Sequence, residues 1–368
     1  MRGNLLGALS MMRENTTKNN ETNLSNQDDF LDYALSHDFG ELHFKVDKAS
    51  GMKAIIAIHN TKLGPALGGC RFIEYPSTAD AINDVMRLAR GMSYKAASVN
   101  LPFGGGKSVI IKPKGPYDRT LYLDTFGKFV NDLGGRYITA LDSGTELSDM
   151  DIIAQHTPYV ASLSSYNGDP SPYTAKGILR GIEASVKFKL GKDKLKDLRI
   201  AIQGLGHVGY LLAKHLHEQG AQLTVSDVNS ARTELAHNEL GATVVPTTVI
   251  HKTPCDVFSP CALGGIINDK TINELQTPIV AGAANNQLAH TYHGQLLHDK
   301  GILYATDYVI NAGGLIFAAG KYLETPEAVV TQQIDGITAI LLEIFTKSKQ
   351  ENRPTSEIAD HLAQEKLK

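Results

Sequence analysis

Apolar side chains recur with a helical period in the longest predicted helix of the first half of the chain. In the run from Thr78 to Ala97 they fall on one face, at Ile82, Val85, Met86, Leu88 and Ala89. Shorter apolar runs predict strands at ELHFKV, MKAIIAIH, SVIIK and RYITAL. Further helices are predicted near Phe30 to Ser36, over 119–132 and over 146–155. Strands that alternate with helices are typical of an α/β layer, which we expect to form a first domain.

The second half of the chain repeats this alternation with shorter elements. Strands are predicted at LRIAIQ, QLTVSD, ATVV, DVFSP and PIVAG, and the helices between and before them at Thr174 to Lys189, 207–219, 230–239 and Asp269 to Leu275. This order indicates a parallel, doubly wound sheet of the Rossmann type. The last two predicted helices, Pro326 to Lys349 and Thr355 to Leu367, have no strand between them. We expect them to pack back on the first domain or on a neighbouring subunit.

Chain length and local composition suggest where the domains divide. A chain of 368 residues exceeds the size at which one hydrophobic core stops growing. The segment SLSSYNGDPSPYTAKG has the Ser, Gly and Pro content of an interdomain loop. We therefore expect a substrate and oligomerisation domain over 28–165, completed by helices in 325–368, and a dinucleotide-binding domain over 166–324. Residues 1–27 are rich in Asn, Thr, Glu and Lys, which predicts a disordered extension.

Charge and cysteine content narrow the functional class. The formal net charge of −3 gives no attraction to polyanions, so nucleic acid is not expected as a partner. No apolar run approaches the length needed to span a bilayer, and the first residues lack the pattern of a signal peptide. The three cysteines form no CxxC pair, and the scattered histidines have no metal-ligand spacing. We expect a cytoplasmic protein without a metal site.

A glycine fingerprint indicates a dinucleotide site. It follows the strand RIAIQ, opens a helix, and consists of Gly204, Leu205, Gly206, His207, Val208 and Gly209. Glycines let the backbone approach a pyrophosphate, and the N–H groups and dipole of the helix N-terminus favour its charge. Asp227 ends the next strand, where a carboxylate accepts hydrogen bonds from ribose hydroxyls and repels a 2′-phosphate. The cofactor predicted from these residues is NAD rather than NADP.

Two lysines in apolar surroundings are candidates for chemistry. Lys95 lies near the end of the long helix, and Lys107 follows the glycine run Gly104 to Gly106. This run is not a P-loop, because Leu101 stands where the first glycine is required and a strand follows where a helix is required. We expect Lys107 to lie between a glycine turn and a buried strand. Desolvation and a nearby cation would favour its neutral amine, which can act as a general base.

Eight segments of the chain resemble the Glu/Leu/Phe/Val dehydrogenase superfamily, and most closely its leucine dehydrogenase branch. They are GPALGGCRF, RLARGMSYKAA, LPFGGGKSVIIKP, GRYITALDSGT, DMDIIAQHTPYV, QGLGHVGY, CDVFSPCALGGIIN and ATDYVINAGG. The resemblance runs in order from about Asp28 to the C-terminus. It implies the two-domain α/β fold described above and an NAD-dependent, reversible oxidative deamination of an apolar L-amino acid to its 2-oxo acid and ammonia.

The resemblance also implies roles at the reacting centre. Lys95 matches the lysine that binds the substrate α-carboxylate, assisted by the backbone at Gly68 and Gly69. Lys107 matches the catalytic base, which activates the water that adds to the imino carbon. Asp142 matches the aspartate that handles protons at the amino group.

A set of apolar residues matches the side-chain pocket of the family: Leu67, Ala140, Leu315 and Ala318. Glutamate is disfavoured as the substrate because glutamate dehydrogenases carry a lysine at the position of Leu67. Leucine, isoleucine and valine are the expected substrates, and a phenylalanine or valine dehydrogenase with the same mechanism is the alternative. Leucine dehydrogenases commonly have an acid at the position of Leu141, so one electrostatic contact is absent here.

The remaining implied residues concern the cofactor and the assembly. Thr174 matches the threonine that orients the nicotinamide amide, and Asn286 matches the asparagine near the nicotinamide and the substrate. Cys261 and Ala262 fall in a segment that resembles the cofactor-binding part of the family. Family members form higher oligomers, so a homo-oligomer is expected, with an octamer favoured. A catalytically silent NAD-binding subunit is the alternative from another functional class, but such a protein would be expected to lose Lys107 or Asp142.

Overall fold

Two β-sheets flanked by helices organise the chain in a computed structural model that describes residues 30–37, 39–166 and 169–368. A short unit ends at Gly40 and contains helix α1, Phe30–Ser36, which matches the predicted first helix. A large unit begins at Glu41 and contains all other elements described below. The predicted extension over residues 1–27 lies outside the described residues.

The first sheet has five strands in the order β1-β2-β4-β3-β5. They are β1 Glu41–Val46, β2 Lys53–Asn60, β3 Ala66–Ile73, β4 Gly104–Ile111 and β5 Tyr137–Leu141. The β1–β2 and β2–β4 pairs are antiparallel, whereas β3 runs parallel to both β4 and β5. The central position of β3 and β4 buries nearly all of their residues, so a side chain on either strand is surrounded by protein.

Helices cover the first sheet and determine what its strands can carry. Helix α2, Thr78–Ser98, is capped at its N-terminus by Ser77, whose side chain accepts a hydrogen bond from the Asp80 backbone N–H. Helices α3, Arg119–Asp132, and α4, Leu147–Ala154, bury Phe126, Met150 and Ile153 in one cluster with residues of the strands. All three helices agree with the predicted ones within a few residues.

The second sheet is parallel throughout, with six strands in the order β11-β10-β9-β6-β7-β8. These are β6 Arg199–Gln203, β7 Gln222–Ser226, β8 Thr243–Val244, β9 Val257–Pro260, β10 Ile279–Val280 and β11 Leu303–Tyr304. The helices before and between them are α5 Ser171–Leu190, α6 His207–Glu218, α7 Ser230–Leu240 and α8 Tyr292–Asp299. The strand order reverses beside β6, the first strand of this sheet, as in the doubly wound fold predicted from the sequence.

Five helices complete the large unit: α9 Asp307–Ile310, α10 Gly313–Tyr322, α11 Glu327–Asp335, α12 Ile337–Glu351 and α13 Thr355–Leu367. Helix α13 returns to α2, as expected of the C-terminal helices. Gln364 donates to the Tyr94 hydroxyl at 2.7 Å and Lys366 donates to the Ala97 carbonyl at 3.1 Å. Helix α12 packs instead on α5, where Ile182 and Leu341 belong to one buried cluster.

The fold corrects the sequence prediction in three places. The glycines before Lys107 belong to strand β4 and not to a turn. The helix expected over Asp269 to Leu275 is only a single 3₁₀ turn, Thr271–Asn273, because Asn268 accepts the Thr271 backbone N–H and holds the chain in a local turn. The helix expected from Pro326 to Lys349 is two helices separated at Gly336, whose residue type weakens helices.

One stretch, Glu327–Glu351, has the length and apolar composition that crossing a membrane would require. In the fold this stretch is α11 and α12, broken at Gly336. Several of its apolar side chains, among them Ile334, Leu341 and Phe345, are fully buried, whereas Val329 is exposed. A core helix of a globular protein passes the same test of length and composition.

Candidate functional site

Three glycines of β4 allow helix α2 and the neighbouring strands to approach this strand closely. A Cβ atom at Gly105 would lie 2.0 Å from the backbone nitrogen of Ser93 in α2, and one at Gly104 would lie 1.8 Å from the Asn60 carbonyl oxygen. Helix α2 therefore crosses β4 with its backbone almost in contact. Lys95 follows Ser93 by two residues and Lys107 follows Gly105 by two residues, so the crossing brings both lysines to one region.

Lys107 is held in the sheet, and its ammonium group contacts a carboxylate. The residue pairs with Ala57 of β2, and its side chain is only 8% exposed. Lys107 Nζ forms a direct ion pair with Asp142 Oδ2. The two residues that the sequence assigned to proton transfer are therefore in contact.

Asp142 follows the last residue of β5 and is anchored by its own loop. Its Oδ1 accepts the Ser143 backbone N–H at 2.6 Å, and its own N–H donates to the Thr145 hydroxyl at 3.0 Å. Burial would raise the pKa of Asp142, but Lys107, the Ser143 N–H and Arg71 outweigh it and hold that pKa below its ordinary value. Asp142 is therefore a carboxylate in the resting site.

The glycines of β3 bring main chain beside this pair. A Cβ atom at Gly69 would lie 2.8 Å from Asp142 Oδ2, and one at Gly68 would lie 1.7 Å from the Gly106 carbonyl oxygen. The Tyr137 hydroxyl donates to the Gly68 carbonyl at 2.7 Å and fixes the strand there. Both predicted backbone contributors thus border the Lys107–Asp142 pair.

Lys95 is a partly buried cation whose charge interacts with both Lys107 and Asp142. Burial lowers the pKa of Lys95 to about 8, the charge of Asp307 opposes that decrease, and the charge of Lys107 adds to it. Asp307 accepts backbone N–H groups of Gln287 at 3.0 Å and Tyr308 at 2.7 Å. A substrate carboxylate would provide the counter-charge that Lys95 needs near neutral pH.

Asn285 contacts Lys95, although the family resemblance points to its neighbour Asn286. Asn285 Oδ1 accepts from Lys95 Nζ at 3.3 Å and from Asn311 Nδ2 at 2.8 Å. Asn286 lies one residue further on, in a left-handed conformation with φ 52°. The only sequence signal that could have found Asn285 was the doubled asparagine, because nothing in the pattern tells which side chain faces the lysine.

The residues assigned to the side-chain pocket share an apolar environment. Leu67 is 1% exposed and belongs to the buried cluster against which Ala140 and Leu315 pack. Ala318, also partly buried, follows Leu315 by three residues in α10 and therefore lies on the same helix face. The wall formed by these four residues carries no charged side chain.

The predicted fingerprint forms the turn between β6 and α6. Gly204 has φ 96°, and a Cβ atom at Gly209 would lie 2.1 Å from the Gly204 carbonyl oxygen. Asp227 Oδ2 accepts the Leu205 N–H at 2.6 Å and braces the turn. Among the described residues, no side chain caps the first turn of α6. An open cavity of about 410 Å³ lies here and is lined by Leu205, Gly206, His207, Arg232 and others.

This turn fits a dinucleotide. Positive φ, close backbone approach and N–H groups without a side-chain cap are what a pyrophosphate requires at a helix N-terminus. Val208 is the second residue of α6, and the Asp227 carboxylate stands at the end of β7. Phosphate recognition by backbone and ribose recognition by a carboxylate are thus both available.

The other predicted cofactor residues lie beside the fingerprint turn, in the case of Cys261 and Ala262, and beside helix α10, in the case of Thr174. A Cβ atom at Gly204 would lie 2.8 Å from the Ala262 Cβ, and the Cys261 N–H donates to the Gln203 carbonyl at 2.7 Å. Thr174 lies in the first turn of α5 and donates to the Pro170 carbonyl at 3.0 Å. The main chain at Gly314, at the start of α10, passes directly beside the Thr174 hydroxyl. Thr174 therefore adjoins the helix that carries Leu315 and Ala318.

Two family models match the sequence. Residues 38–159 match the Glu/Leu/Phe/Val dehydrogenase dimerisation domain, and residues 229–367 match the Glutamate/Leucine/Phenylalanine/Valine dehydrogenase model. Together they cover more than half of the chain.

The chain belongs to the Glu/Leu/Phe/Val dehydrogenase family. It is similar to leucine dehydrogenase of Geobacillus stearothermophilus, with 46% identity over 91% of this chain and 92% of that protein. It is similar to phenylalanine dehydrogenase of Thermoactinomyces intermedius, with 44% identity over 87% and 88% of the two chains. The crystal structure of L-tryptophan dehydrogenase from Nostoc punctiforme superposes with a TM-score of 0.83 at 42% identity, covering 92% of this chain and 98% of that one.

Family membership confirms three predictions made from the sequence: the superfamily, the two-sheet α/β fold, and an amino-acid dehydrogenase activity. A Rossmann-type domain in this family implies a nicotinamide dinucleotide as the cofactor. The relatives differ in the amino acid that their names give, so the preferred side chain is a separate question.

Proposed function

We propose that the protein catalyses the NAD-dependent, reversible oxidative deamination of branched-chain and other apolar L-amino acids. The observation that carries this proposal is the convergence of Lys95, Lys107 and Asp142 beside an apolar wall. Such a site supplies a cation for the α-carboxylate, an amine and a carboxylate for proton transfer, and no charge for the side chain of the substrate.

Lys95 would bind the substrate α-carboxylate, with backbone at Gly68 and Gly69 beside it. Asn285 supports this role because its amide oxygen already holds Lys95, and its amide nitrogen donates to no other described residue. That nitrogen remains available for a ligand oxygen. We keep Asn286 as a second candidate near the nicotinamide and the substrate.

Lys107 and Asp142 would carry the protons of the reaction. Asp142 accepts a proton from the substrate ammonium, which gives the free amine that hydride loss requires. When Cα has lost its hydride, water adds to the imino carbon, and the neutral amine of Lys107 takes the proton of that water. Departure of ammonia from the resulting carbinolamine leaves the 2-oxo acid. The sum is amino acid, water and NAD converted to oxo acid, ammonium, NADH and a proton.

NAD would supply the hydride acceptor when bound between the two sheets. The fingerprint from Gly204 to Gly209, with Leu205, Gly206, His207 and Val208, would hold its phosphates, and Asp227 its adenosine ribose. We assign Thr174 to the nicotinamide end and Cys261 and Ala262 to the loop that adjoins Gly204. We also retain the domain boundaries 28–165, with 325–368, and 166–324, and expect closure between them to exclude water.

Replacement of Asp227 by Ser is expected to narrow the preference for NAD over NADP, because repulsion of the 2′-phosphate is relieved. The KM for NAD should rise as well, since the Asp227 carboxylate also braces Leu205. The measurement is kcat/KM for both cofactors in the wild type and the variant, with Asp197→Ser as a control remote from the turn. Equal kcat/KM for NAD and NADP in the wild type would contradict the assignment.

Leucine, isoleucine and valine are the favoured substrates because the wall contains only aliphatic side chains. Phenylalanine is the second candidate, favoured by the small side chain of Ala318. A panel of these amino acids with methionine, assayed with NAD by NADH absorbance, tests the proposal. Formation of NADH with the branched-chain amino acids supports the proposal, and no NADH formation with any apolar amino acid would overturn it.

We expect a homo-oligomer and favour an octamer. Residues 38–159 match a domain named for dimerisation, and strand β1 at the edge of the first sheet exposes Phe44 and Val46. Light scattering on purified protein at micromolar concentration measures the assembly, and a monomer there would end the idea. We also propose a cytoplasmic location, which agrees with three free cysteines.

A further inference from the structure

Charged side chains continue behind the Lys107–Asp142 pair in an alternating row. Arg71, on β3, places Nε 3.7 Å from Asp142 Oδ1 and NH1 2.7 Å from Asp84 Oδ2. The order of charges is thus Lys107, Asp142, Arg71, Asp84, from the reacting centre outward. The Arg71 side chain is 23% exposed, so this row is largely shielded from solvent.

The Nε–H group of Arg71 is a buried donor that has no hydrogen-bond partner among the described residues. A buried N–H without a partner costs free energy, so its position needs an explanation. The charged atom nearest to this N–H group is Asp142 Oδ1, which already accepts a hydrogen bond from the Ser143 N–H. A small rotation of the carboxylate would complete a hydrogen bond to Arg71.

Asp84, on α2, anchors the outer end of the guanidinium group. It also accepts from the Tyr75 hydroxyl at 2.8 Å and from Arg87 at 3.1 Å. With three donors converging on Asp84, Arg71 is held in one orientation with Nε directed inward. Arg87 differs from Arg71 in that Asp84 is its only ion-pair partner among the described residues and in that it is 53% exposed.

The proton-transfer roles proposed for Lys107 and Asp142 create a need for such a residue. Lys107 must be unprotonated when it acts as a base, and Asp142 then loses its nearest positive charge. A buried carboxylate without a cation takes up a proton. A guanidinium group stays charged throughout the accessible pH range.

We propose that Arg71 is a positioning residue for the reaction, which keeps Asp142 oriented and ionised in the free enzyme, ready to accept the proton of the substrate ammonium, whichever protonation state Lys107 has. The inference rests on the proposed function, because it assigns Arg71 a role through those two residues. It predicts that Arg71 acts on the pH dependence of catalysis and not merely on stability.

Other titratable groups near Asp142 do not replace this role. Facing it from the surrounding elements are Lys107 on β4, Lys95 on α2, Cys70 on β3 and Tyr137 on β5. Burial raises the pKa of Cys70 to about 12 and the pKa of Tyr137 still further, so both stay neutral. Lys95 must be charged to bind a carboxylate, so its deprotonation affects the alkaline limb of activity.

The test is the pH profile of kcat/KM for leucine in the wild type, Arg71→Gln and Arg87→Gln. Without the positive charge of Arg71, the Lys107–Asp142 pair holds its proton to higher pH, because a proton on either member is then less disfavoured. The acid limb of Arg71→Gln should move to higher pH by about 1 unit. Arg87→Gln should keep the limb of the wild type. Superimposed profiles for Arg71→Gln and the wild type would overturn the inference.

Arg71→Lys keeps the charge and guards against a folding defect in the Gln variant. Its acid limb is expected to remain near that of the wild type, and a limb displaced as far as that of Arg71→Gln would contradict the role of charge. If Arg71→Gln does not fold, two other variants are compared by the pH at which the acid limb of kcat/KM falls. They are Arg71→Met in an Arg87→Lys background, which lacks the charge at residue 71, and Arg71→Lys, which keeps it. If Lys107→Ala loses activity but the acid limb of Arg71→Gln stays at the wild-type pH, only this inference is contradicted. Full activity in Lys107→Ala contradicts the proposed function itself.

Discussion

Replacement of Lys107 by Ala is expected to lower kcat for leucine by about 10²-fold or more, the usual scale of general-base catalysis. Lys107 is 8% exposed and contacts Asp142 directly, whereas the amine of Lys95, the neighbouring lysine, donates to Asn285 Oδ1. NADH binding should be nearly unchanged, because the fingerprint turn lies on the other sheet. Steady-state kinetics and NADH fluorescence titration measure the two effects.

Two further variants give this experiment its control. Lys53→Ala removes an exposed lysine at the start of β2 and should keep wild-type kcat. Lys107→Gln keeps a hydrogen-bond donor beside Asp142, so the buried carboxylate is not left without a partner and the fold is less disturbed. A Lys107 variant that retains more than about a tenth of wild-type kcat would refute the role of the base.

Glutamate is expected to be a very poor substrate, with kcat/KM at least about 10³-fold below that of leucine. Its side-chain carboxylate would meet Leu67, Ala140, Leu315 and Ala318, none of which carries a charge. Burial of an unpaired carboxylate costs several kcal/mol even after relaxation, and about 1.4 kcal/mol corresponds to a factor of ten. Among apolar substrates the discrimination is weaker, about 10- to 200-fold per methylene.

Leu67→Lys tests this argument from the other direction. A lysine there supplies the missing cation, so kcat/KM for glutamate relative to leucine should rise by about 10-fold or more, although burial of the new ammonium limits the gain. Leu315→Val, a change within the same wall that adds no charge, is the matched control and should leave that ratio nearly unchanged. A wild-type enzyme that prefers glutamate to leucine would contradict the pocket assignment.

Most of the fold followed from hydrophobic periodicity because each long element buries one face. The α2 helix is one example because its pattern is local, and the β6 to α6 turn is another because its glycines lie where the backbone must bend. Strand β3 was not predicted from pattern, because ALGGCRFI has no alternation of apolar and polar residues. Its strand conformation comes from pairing with β4 on one side and β5 on the other, which a local pattern does not encode.

The same limit explains what was missed in the site. The glycine run before Lys107 favours a turn by its composition, but these glycines lie inside β4, where the α2 backbone at Ser93 comes so close that no side chain fits at Gly105. Asn285 was missed because only the tertiary contact with Lys95 distinguishes it from Asn286. Arg71 stood in the quoted segment GPALGGCRF without a role, since its two acidic neighbours come from other parts of the chain.

The most direct test of the proposed chemistry is the product balance with leucine and NAD. Purified enzyme should form NADH, ammonium and the corresponding 2-oxo acid in equal amounts, and the reverse mixture should consume NADH, while Lys107→Ala does neither at a comparable rate. Absence of ammonium release from leucine, or NADH formation unaffected in Lys107→Ala, would contradict the account.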